Sequence, residues 1–418
     1  MKILHLSHSD SKGGAARAAD RIHRALLGSN HDSQMWVNDA RLGDWTVVGP
    51  VNNVAKARNL LRRAPAELVR GLLKTINPTL HSPALLRSAW VDRINQSDAE
   101  VVHLHWVQGE MLSVADIGRI TKPLVWTLHD MWGFSGSEHY AEDFRWRDGY
   151  RRDNRPSYES GFDLNRWTWN RKRRHWKIPL HIVAPSKWLA DCVRESALMK
   201  QWPTTVIPNP IDTDTWKPMP QQIARDLLGL PRGVPLVLFG AWGGGDDPRK
   251  GFELLQQALL SVRSDSKAHK IGLELVVFGQ RAPQNHPNLG FPIHYLGHLH
   301  DDLSLRAVYS AVEVMVVPSM QEAFGQTASE AQACGTPVVA FDSGGLTDIV
   351  RHEKTGYLAR SFDPEDLANG IMWTLGQSVS NGAALRVAAR KRAVELFSSS
   401  AVAEQYQLVY TEALTVKT

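Results

Sequence analysis

The feature that most constrains this chain is a repeated one. Twice, a short apolar strand pattern runs into a glycine-rich turn and then into a helical pattern. Near the start, KILHLS (2–7) leads into SDSKGG, after which Ala15, Ala18, Ala19, Ile22, Ala25 and Leu26 recur at helical spacing. At mid-chain, PLVLFG (235–240) leads to GGGDDPRKG and a helical pattern over Phe252–Val262. Strand, tight turn and helix form the opening of a βαβ unit. Further apolar runs fit buried parallel strands: Val101–His105, Leu124–Leu128 and His181–Val183, then Leu273–Gly279, Ile293–Leu296, Val314–Pro318 and Pro337–Phe341. Helical patterns alternate with them, notably Asn53–Ile76 and Lys187–Ser196, and two amphipathic patterns (381–396 and 401–414) close the chain. Pro203, Pro208, Pro210, Pro218 and Pro220 crowd the stretch between the two series and mark a linker. The pattern predicts an α/β chain of two doubly wound Rossmann-like domains, 1–207 and 208–397, facing a cleft. The last helix, about 398–418, is expected to pack back on the first domain.

Composition excludes several classes. With 43% hydrophobic and 22% charged residues, the 418-residue chain reads as globular rather than disordered or fibrous. No apolar stretch approaches the length of a spanning helix. Cys192 and Cys334 are too few for a disulfide framework, and MKILHLSHSD lacks the apolar core of a signal peptide, so a cytoplasmic protein is expected. Charge is uneven. Residues 1–208 hold 30 Lys+Arg against 21 Asp+Glu, a balance of +9, whereas the remainder holds 18 against 22, a balance of −4. Of the 15 tryptophans, 13 precede residue 217. An anionic partner for the first half follows.

The segment 318–350, PSMQEAFGQTASEAQACGTPVVAFDSGGLTDIV, carries the sharpest chemistry. A strand ends at Pro318, a turn holds Glu322, Phe324 and Gly325, and a helix begins near Thr327. Carboxylates at a strand end and a helix start face the carboxyl edge of a parallel sheet, where ligands bind. Acceptor-only carboxylates suit a vicinal diol, and helix-start amides suit an anionic oxygen. Thr327–Glu330 also fits a capping box, in which Glu330 would only close its own helix. Arg249 and Lys250 follow the second glycine-rich turn in no Walker pattern. Cations there suit concentrated negative charge, or else are solvated loop charges. His129-Asp130 follows an apolar run and so sits at a strand end, where an imidazole can serve a sugar hydroxyl. Gly13-Gly14 permits close backbone approach after the first strand.

Glu322 and Glu330, separated by seven residues and followed by AQACGTPVVA, resemble the retaining glycosyltransferases of the GT-B fold, family 4. The LHDMW run at 128–132 is similar to a subgroup found in bacterial exopolysaccharide and O-antigen synthesis, of colanic-acid type. The resemblance implies a two-domain GT-B enzyme moving a sugar from a nucleotide-diphosphate donor to an acceptor hydroxyl; of UDP and GDP, we favour UDP. It implies that Glu322 faces the donor sugar, Glu330 the ribose, and His129 a sugar hydroxyl. Lys250 would grip the diphosphate, and the amides of Phe324, Gly325 and Gln326 would hold sugar or phosphate. Gly13 and Gly14 would lie near the donor phosphate or the acceptor. Where the family has a first arginine this chain has Ala241, and Arg249 is the expected substitute. No metal or other cofactor is expected.

The basic, tryptophan-rich stretch 145–177 has eleven Lys/Arg against four Asp/Glu, with Trp146, Trp167, Trp169 and Trp176 interleaved. Residues 56–74 add a basic amphipathic pattern. A solvated face, a nucleic-acid surface and an anionic membrane surface all fit. With a lipid-linked or oligosaccharide acceptor implied, Asp130, Arg171, Arg173 and Arg174 are placed on the acceptor or membrane side and no nucleic acid is expected. The enzyme would then sit at the inner face of the cytoplasmic membrane. A nucleotide-sugar 2-epimerase of the same fold and a non-catalytic anion-binding module remain as alternatives. The two glutamates argue against the epimerase.

Overall fold

A computed structural model describes residues 1–50, 52–240, 247–264, 272–283, 288–299, 301–380 and 382–415. The chain divides into two compact units, Met1–Pro210 with Val402–Thr418, and Ile211–Ala401.

In the first unit the strands are β1 (Lys2–Ser9), β2 (Asp32–Asp39), β3 (Val47–Val48), β4 (Leu73–Lys74), β5 (Val101–Leu104), β6 (Leu124–Thr127), β7 (Ser160–Gly161), β8 (His181–Ala184) and β9 (Thr204–Val206). Seven form one sheet in the order β3-β2-β1-β5-β6-β8-β9, while β4 and β7 make a small ribbon. Every pairing in the large sheet is parallel. The central strands β5, β6 and β8 are buried on both faces, which is why they read as apolar runs rather than as alternation. One face is covered by the helices Gly14–Gly28 and Ser399–Thr415. Ile22 and Leu26 from the first and Val402, Tyr406 and Tyr410 from the second pack on Ile3, Val101, Val125 and Val183. Polar ties reinforce this packing. Nδ1 of His103 lies 2.7 Å from the Tyr410 hydroxyl, and the Thr127 hydroxyl lies 2.7 Å from Nε2 of His103 and 2.9 Å from the Tyr406 hydroxyl.

The second unit has β10 (Leu236–Gly240), β11 (Glu274–Phe278), β12 (Ile293–Tyr295), β13 (Val314–Val317), β14 (Val338–Phe341) and β15 (Gly356–Ala359), in the order β12-β11-β10-β13-β14-β15. These pairings are parallel too. Side chains alternate by face as the pleat requires. Leu236, Leu238, Met315, Val317, Val338 and Ala340 join one core with Tyr309, Ala328 and Phe397. Val237, Phe239, Val314, Val316, Val339 and Phe341 join the other with Leu255, Leu259, Leu367 and Ile371.

Two expectations about elements are corrected. The helical pattern Asn53–Ile76 is two helices, Asn53–Leu61 and Arg63–Arg70, followed by β4. Gly71 takes the end of the second helix. The proline-rich linker contains a strand, β9, because Thr204–Val206 finds a parallel partner in β8.

Candidate functional site

The second unit gathers its chemistry at the carboxyl ends of β10 and β13. After β10, the 3-10 turn Pro248–Lys250 presents two cations in succession. Asp247 caps this turn, accepting from the Arg249 amide at 3.1 Å. The turn is bound to the segment after β13. The Met320 amide donates to the Arg249 carbonyl at 2.7 Å. Gly251, at φ +67°, passes so close that a Cβ there would lie 1.9 Å from the Pro318 carbonyl oxygen. This approach brings the Lys250 ammonium onto the Glu322 carboxylate as an ion pair. Ser319 donates to the same carboxylate oxygen at 3.1 Å. Behind Glu322 lie Gly344 and Gly345. The Gly345 amide donates to the Glu322 carbonyl at 2.8 Å, and a Cβ on either glycine would collide with the 322–324 backbone.

Gly325 stands at φ +105° and caps the helix Gln326–Ala333, placing the chain reversal just beyond Phe324. The Phe324 ring is an anchor, buried edge-on against Phe397 with centroids 5.5 Å apart. Glu330 corrects the capping-box alternative. It lies in the second turn, is 3% exposed, and accepts from the Tyr309 hydroxyl at 3.0 Å across to the neighbouring helix. The cap is the glycine itself, with no side-chain hydrogen bond. Arg249, the expected substitute at the diphosphate, turns to Asp247 instead, with 2.8 Å between guanidinium and carboxylate. Ala241 lies outside the described residues.

In the first unit, the expected residues again fall at the carboxyl edge of the sheet. Gly13 (φ +89°) caps the helix Gly14–Gly28 directly after β1, with no acidic residue in its first turn. Such an end suits an anion. His129 lies two residues past β6. Burial holds its pKa down to about 4, against the opposing pull of neighbouring Asp130, so the ring is neutral at pH 7. Asp130 is a correction. Its carboxylate faces inward, meeting Nδ1 of His139 at 2.6 Å and accepting from Trp106 Nε1 at 3.2 Å and from the Trp132 amide at 2.9 Å. Burial alone would raise its pKa, but His139, the Trp132 amide and His129 together outweigh that and lower it. An acceptor-side carboxylate is therefore absent at this position.

The basic, aromatic face is also corrected in part. Trp146, Trp169 and Trp176 are core residues. Arg171 donates to the carbonyls of Pro83 and Ala84 at 2.6 and 2.7 Å and stacks over Trp167. It ties the chain together rather than facing outward. Arg173 and Arg174 are exposed. Lys172 is wholly buried and donates to main-chain carbonyls of Trp132, Ser135 and Gly136.

Two features escaped the sequence reading. A cavity of about 160 Å³ opens beside the end of β2, lined by Asn38, Asn59, Arg62, Trp90, Arg93 and Glu110. Arg93 lies 4.8 Å from the rings of both Trp36 and Trp90. The second is a histidine cluster. His5, His103 and His105 bring ligand-type nitrogens within 4.8 Å of one another. Both nitrogens of His103 already face hydroxyls, and the set contains no carboxylate to offset a cation in the interior, so the cluster reads as a hydrogen-bond network. The HLHW pattern at 103–106 was its one sequence signal.

Two Rossmann-like units, each on a parallel sheet with the candidate residues at its carboxyl edge, have the GT-B architecture. Residues 236–377 match the family described as glycosyl transferases group 1, and residues 12–215 match glycosyltransferase family 4. Both matches are to glycosyltransferase families, and together they span most of the chain. Among curated relatives, it is 35% identical over 186 residues to the D-inositol 3-phosphate glycosyltransferase of Geodermatophilus obscurus, covering 42% of this chain and 40% of that one. It is 29% identical over 308 residues to the enzyme of the same name from Acidothermus cellulolyticus, covering 70% and 61%. The matched stretch thus spans less than two thirds of either relative. Among solved structures, sucrose-phosphate synthase from Thermosynechococcus elongatus superposes with a TM-score of 0.67 at 21% identity, covering 99% of both chains. Anabaena HepE in complex with UDP and glucose gives 0.62 at 18%, covering 98% and 99%. At these identities the likeness establishes the fold.

Proposed function

We propose that this chain is a retaining glycosyltransferase that moves a sugar from a nucleotide-diphosphate donor, with UDP favoured, to a hydroxyl of a phosphate-bearing acceptor in bacterial surface polysaccharide synthesis. The observation that carries the reading is the Lys250–Glu322 pair at the carboxyl edge of the second sheet, with buried Glu330 in the second turn of the helix that follows. A donor entering here meets a cation for its diphosphate and two carboxylates for its hydroxyls. As the bond from the sugar C1 to the phosphate oxygen breaks, charge accumulates on the leaving diphosphate, and Lys250 stabilises that charge without needing a metal. The acceptor oxygen bonds to C1 on the same face, and its proton passes to the leaving phosphate oxygen. Glu322 orients the sugar, Glu330 the ribose, and His129 a sugar hydroxyl.

For the acceptor, we favour a lipid-linked one. Leu72 and Phe162 are exposed neighbours joined by a 2.9 Å main-chain bond, and Phe162 meets exposed Trp167 at 5.8 Å. Leu68, Arg70, Lys74, Arg173 and Arg174 are exposed as well, and exposed apolar and basic side chains suit an anionic bilayer. No helix among the described residues is long and apolar enough to cross a membrane, so peripheral binding at the cytoplasmic face is the mode proposed. The relatives named for D-inositol 3-phosphate favour a small phosphorylated acceptor as the competing choice.

The test is turnover of UDP- and GDP-sugars with lipid-diphosphate sugars or D-inositol 3-phosphate as acceptor. Transfer that is lost in Glu322→Ala supports the reading, and near-wild-type turnover of that variant rejects it. Flotation with phosphatidylglycerol vesicles that is lost in Leu68→Ser/Leu72→Ser but spares donor binding supports the membrane side. Transfer to inositol phosphate alone, with no flotation, rejects it.

A further inference from the structure

His129 is the outer end of a row of imidazoles that runs into the sheet. Its Nε2 lies 3.2 Å from Nδ1 of His105, and Nε2 of His105 lies 2.9 Å from Nδ1 of His5. The rings stack in sequence, with centroids 5.5 and 5.2 Å apart and interplanar angles of 27° and 18°. Strand register explains the row. His5 on β1 pairs with His103 on β5, His105 follows on the same face two residues later, and His129 stands just past the adjacent β6.

Burial pushes the pKa values of His5 and His105 well below 6.5, so both are neutral. A neutral imidazole has one N–H and one lone pair. Each of the two contacts therefore holds one proton, and His105, donating through one nitrogen, must accept through the other. The row has only two arrangements. If protons point inward, His5 carries its hydrogen on Nε2, which is buried and has no partner among the described residues. If they point outward, His5 donates to His105, His105 donates to His129, and Nε2 of His5 is left as a bare lone pair. Among buried backbone groups an orphaned N–H is rarer than an under-satisfied acceptor, and we carry the same preference over to the ring nitrogen of His5. The outward arrangement follows, and it puts the His129 hydrogen on Nδ1, which makes no hydrogen bond among the described residues.

We propose that His105, backed by His5, is a positioning residue that fixes His129 as the Nδ1–H tautomer, a hydrogen-bond donor to the substrate and not a base. The tautomer itself is independent of the glycosyl-transfer reading, and only the kinetic consequence rests on that reading. A donor-only His129 suits a sugar hydroxyl oxygen or a phosphate oxygen and leaves the acceptor proton to the leaving phosphate.

The experiment is nitrogen-15 NMR of the full chain with labelled histidine at about pH 7.5, with the His129 signals assigned by their loss in His129→Gln. Protonation on Nδ1 is expected, and protonation on Nε2 overturns the proposal. Two further variants separate positioning from packing. His105→Asn places an amide donor near the former Nδ1, whereas His105→Leu fills the space without one. The Leu variant should show mixed His129 tautomers and a kcat lower by about tenfold or more, with donor KM within about twofold. The Asn variant should keep the wild-type tautomer and at least about a third of kcat. A Leu variant with wild-type tautomer and kcat overturns the proposal. If a variant does not fold, the wild-type tautomer decides alone. If no donor and acceptor pair is turned over, the transferase reading fails while the tautomer result stands.

Discussion

Gly251 offers a test of how the second unit assembles its cation–carboxylate pair. Gly251 and Gly229 share a backbone conformation, at φ +67° and +63°. Alanine at either position meets the same left-handed strain, about 1 kcal/mol, and the same gain from a stiffer unfolded chain. Their surroundings differ completely. Nothing lies within 4 Å of a Cβ at 229, whereas at 251 the Cβ would stand 1.9 Å from the Pro318 carbonyl oxygen. Carbon–oxygen contacts settle near 3.3 Å, so the turn and the β13 exit must part by more than about 1 Å. Overpacking of this kind costs about 2 kcal/mol. Gly229→Ala should therefore lose about 1 kcal/mol and Gly251→Ala about 3, or roughly 3 and 9 °C in a unit of this size. The separation falls between Lys250 and Glu322, so nucleotide-sugar affinity should drop about tenfold in Gly251→Ala and stay unchanged in Gly229→Ala. Scanning calorimetry with donor titration reads both. Equal melting shifts for the two variants would refute the reasoning.

Other outcomes follow from the same geometry. Glu322→Gln should lower turnover by about 10² to 10³ while leaving the unfolding midpoint in urea nearly unmoved, since its side chain sits at a loop. Tyr309→Phe removes the hydroxyl that holds Glu330 and should weaken nucleotide binding by about tenfold with little change in kcat, as isothermal calorimetry with steady-state kinetics would read. Acid sensitivity should be concentrated in the first unit. Burial holds His8, His23, His81 and His129 near 4, so the folded state binds fewer protons than the unfolded state between about pH 6.5 and 4. Stability is then full above pH 6.5 and lost as pH falls toward 4. Asp20, Glu110 and Glu138, raised by burial, act in the opposite sense and are fewer. A melting temperature that is flat from pH 7.5 to 4.5 would contradict this.

The two α/β series and their parallel sheets were legible because doubly buried strands leave long apolar runs. Elements without that signal escaped. β2 (DSQMWVND) has polar ends and alternates, β15 (GYLA) opens on a glycine and is only half buried, and β9 hides among prolines. Glu322 was legible as a carboxylate with no structural task, but its pairing with Lys250 was not. That contact crosses 72 positions and depends on the room left by Gly251. Glu330 was ambiguous because Thr327 stands three residues before it in a capping spacing. The helix starts earlier only because Gly325 can take a positive φ, which no spacing rule reports. The tryptophan skew suggested a surface. Most of the tryptophans in 145–177 instead fill the interior of the first unit, and charge density alone could not tell a solvated arginine from Arg171 bound to carbonyls.

The most direct test of the central claim is calorimetric titration of UDP-glucose and GDP-mannose into the full chain and into Lys250→Gln and Glu330→Gln. At least one of these donors should bind the wild type, and each substitution should weaken that binding by about tenfold or more. Binding that is undiminished in both variants would contradict the claim that this edge of the second unit is the donor site.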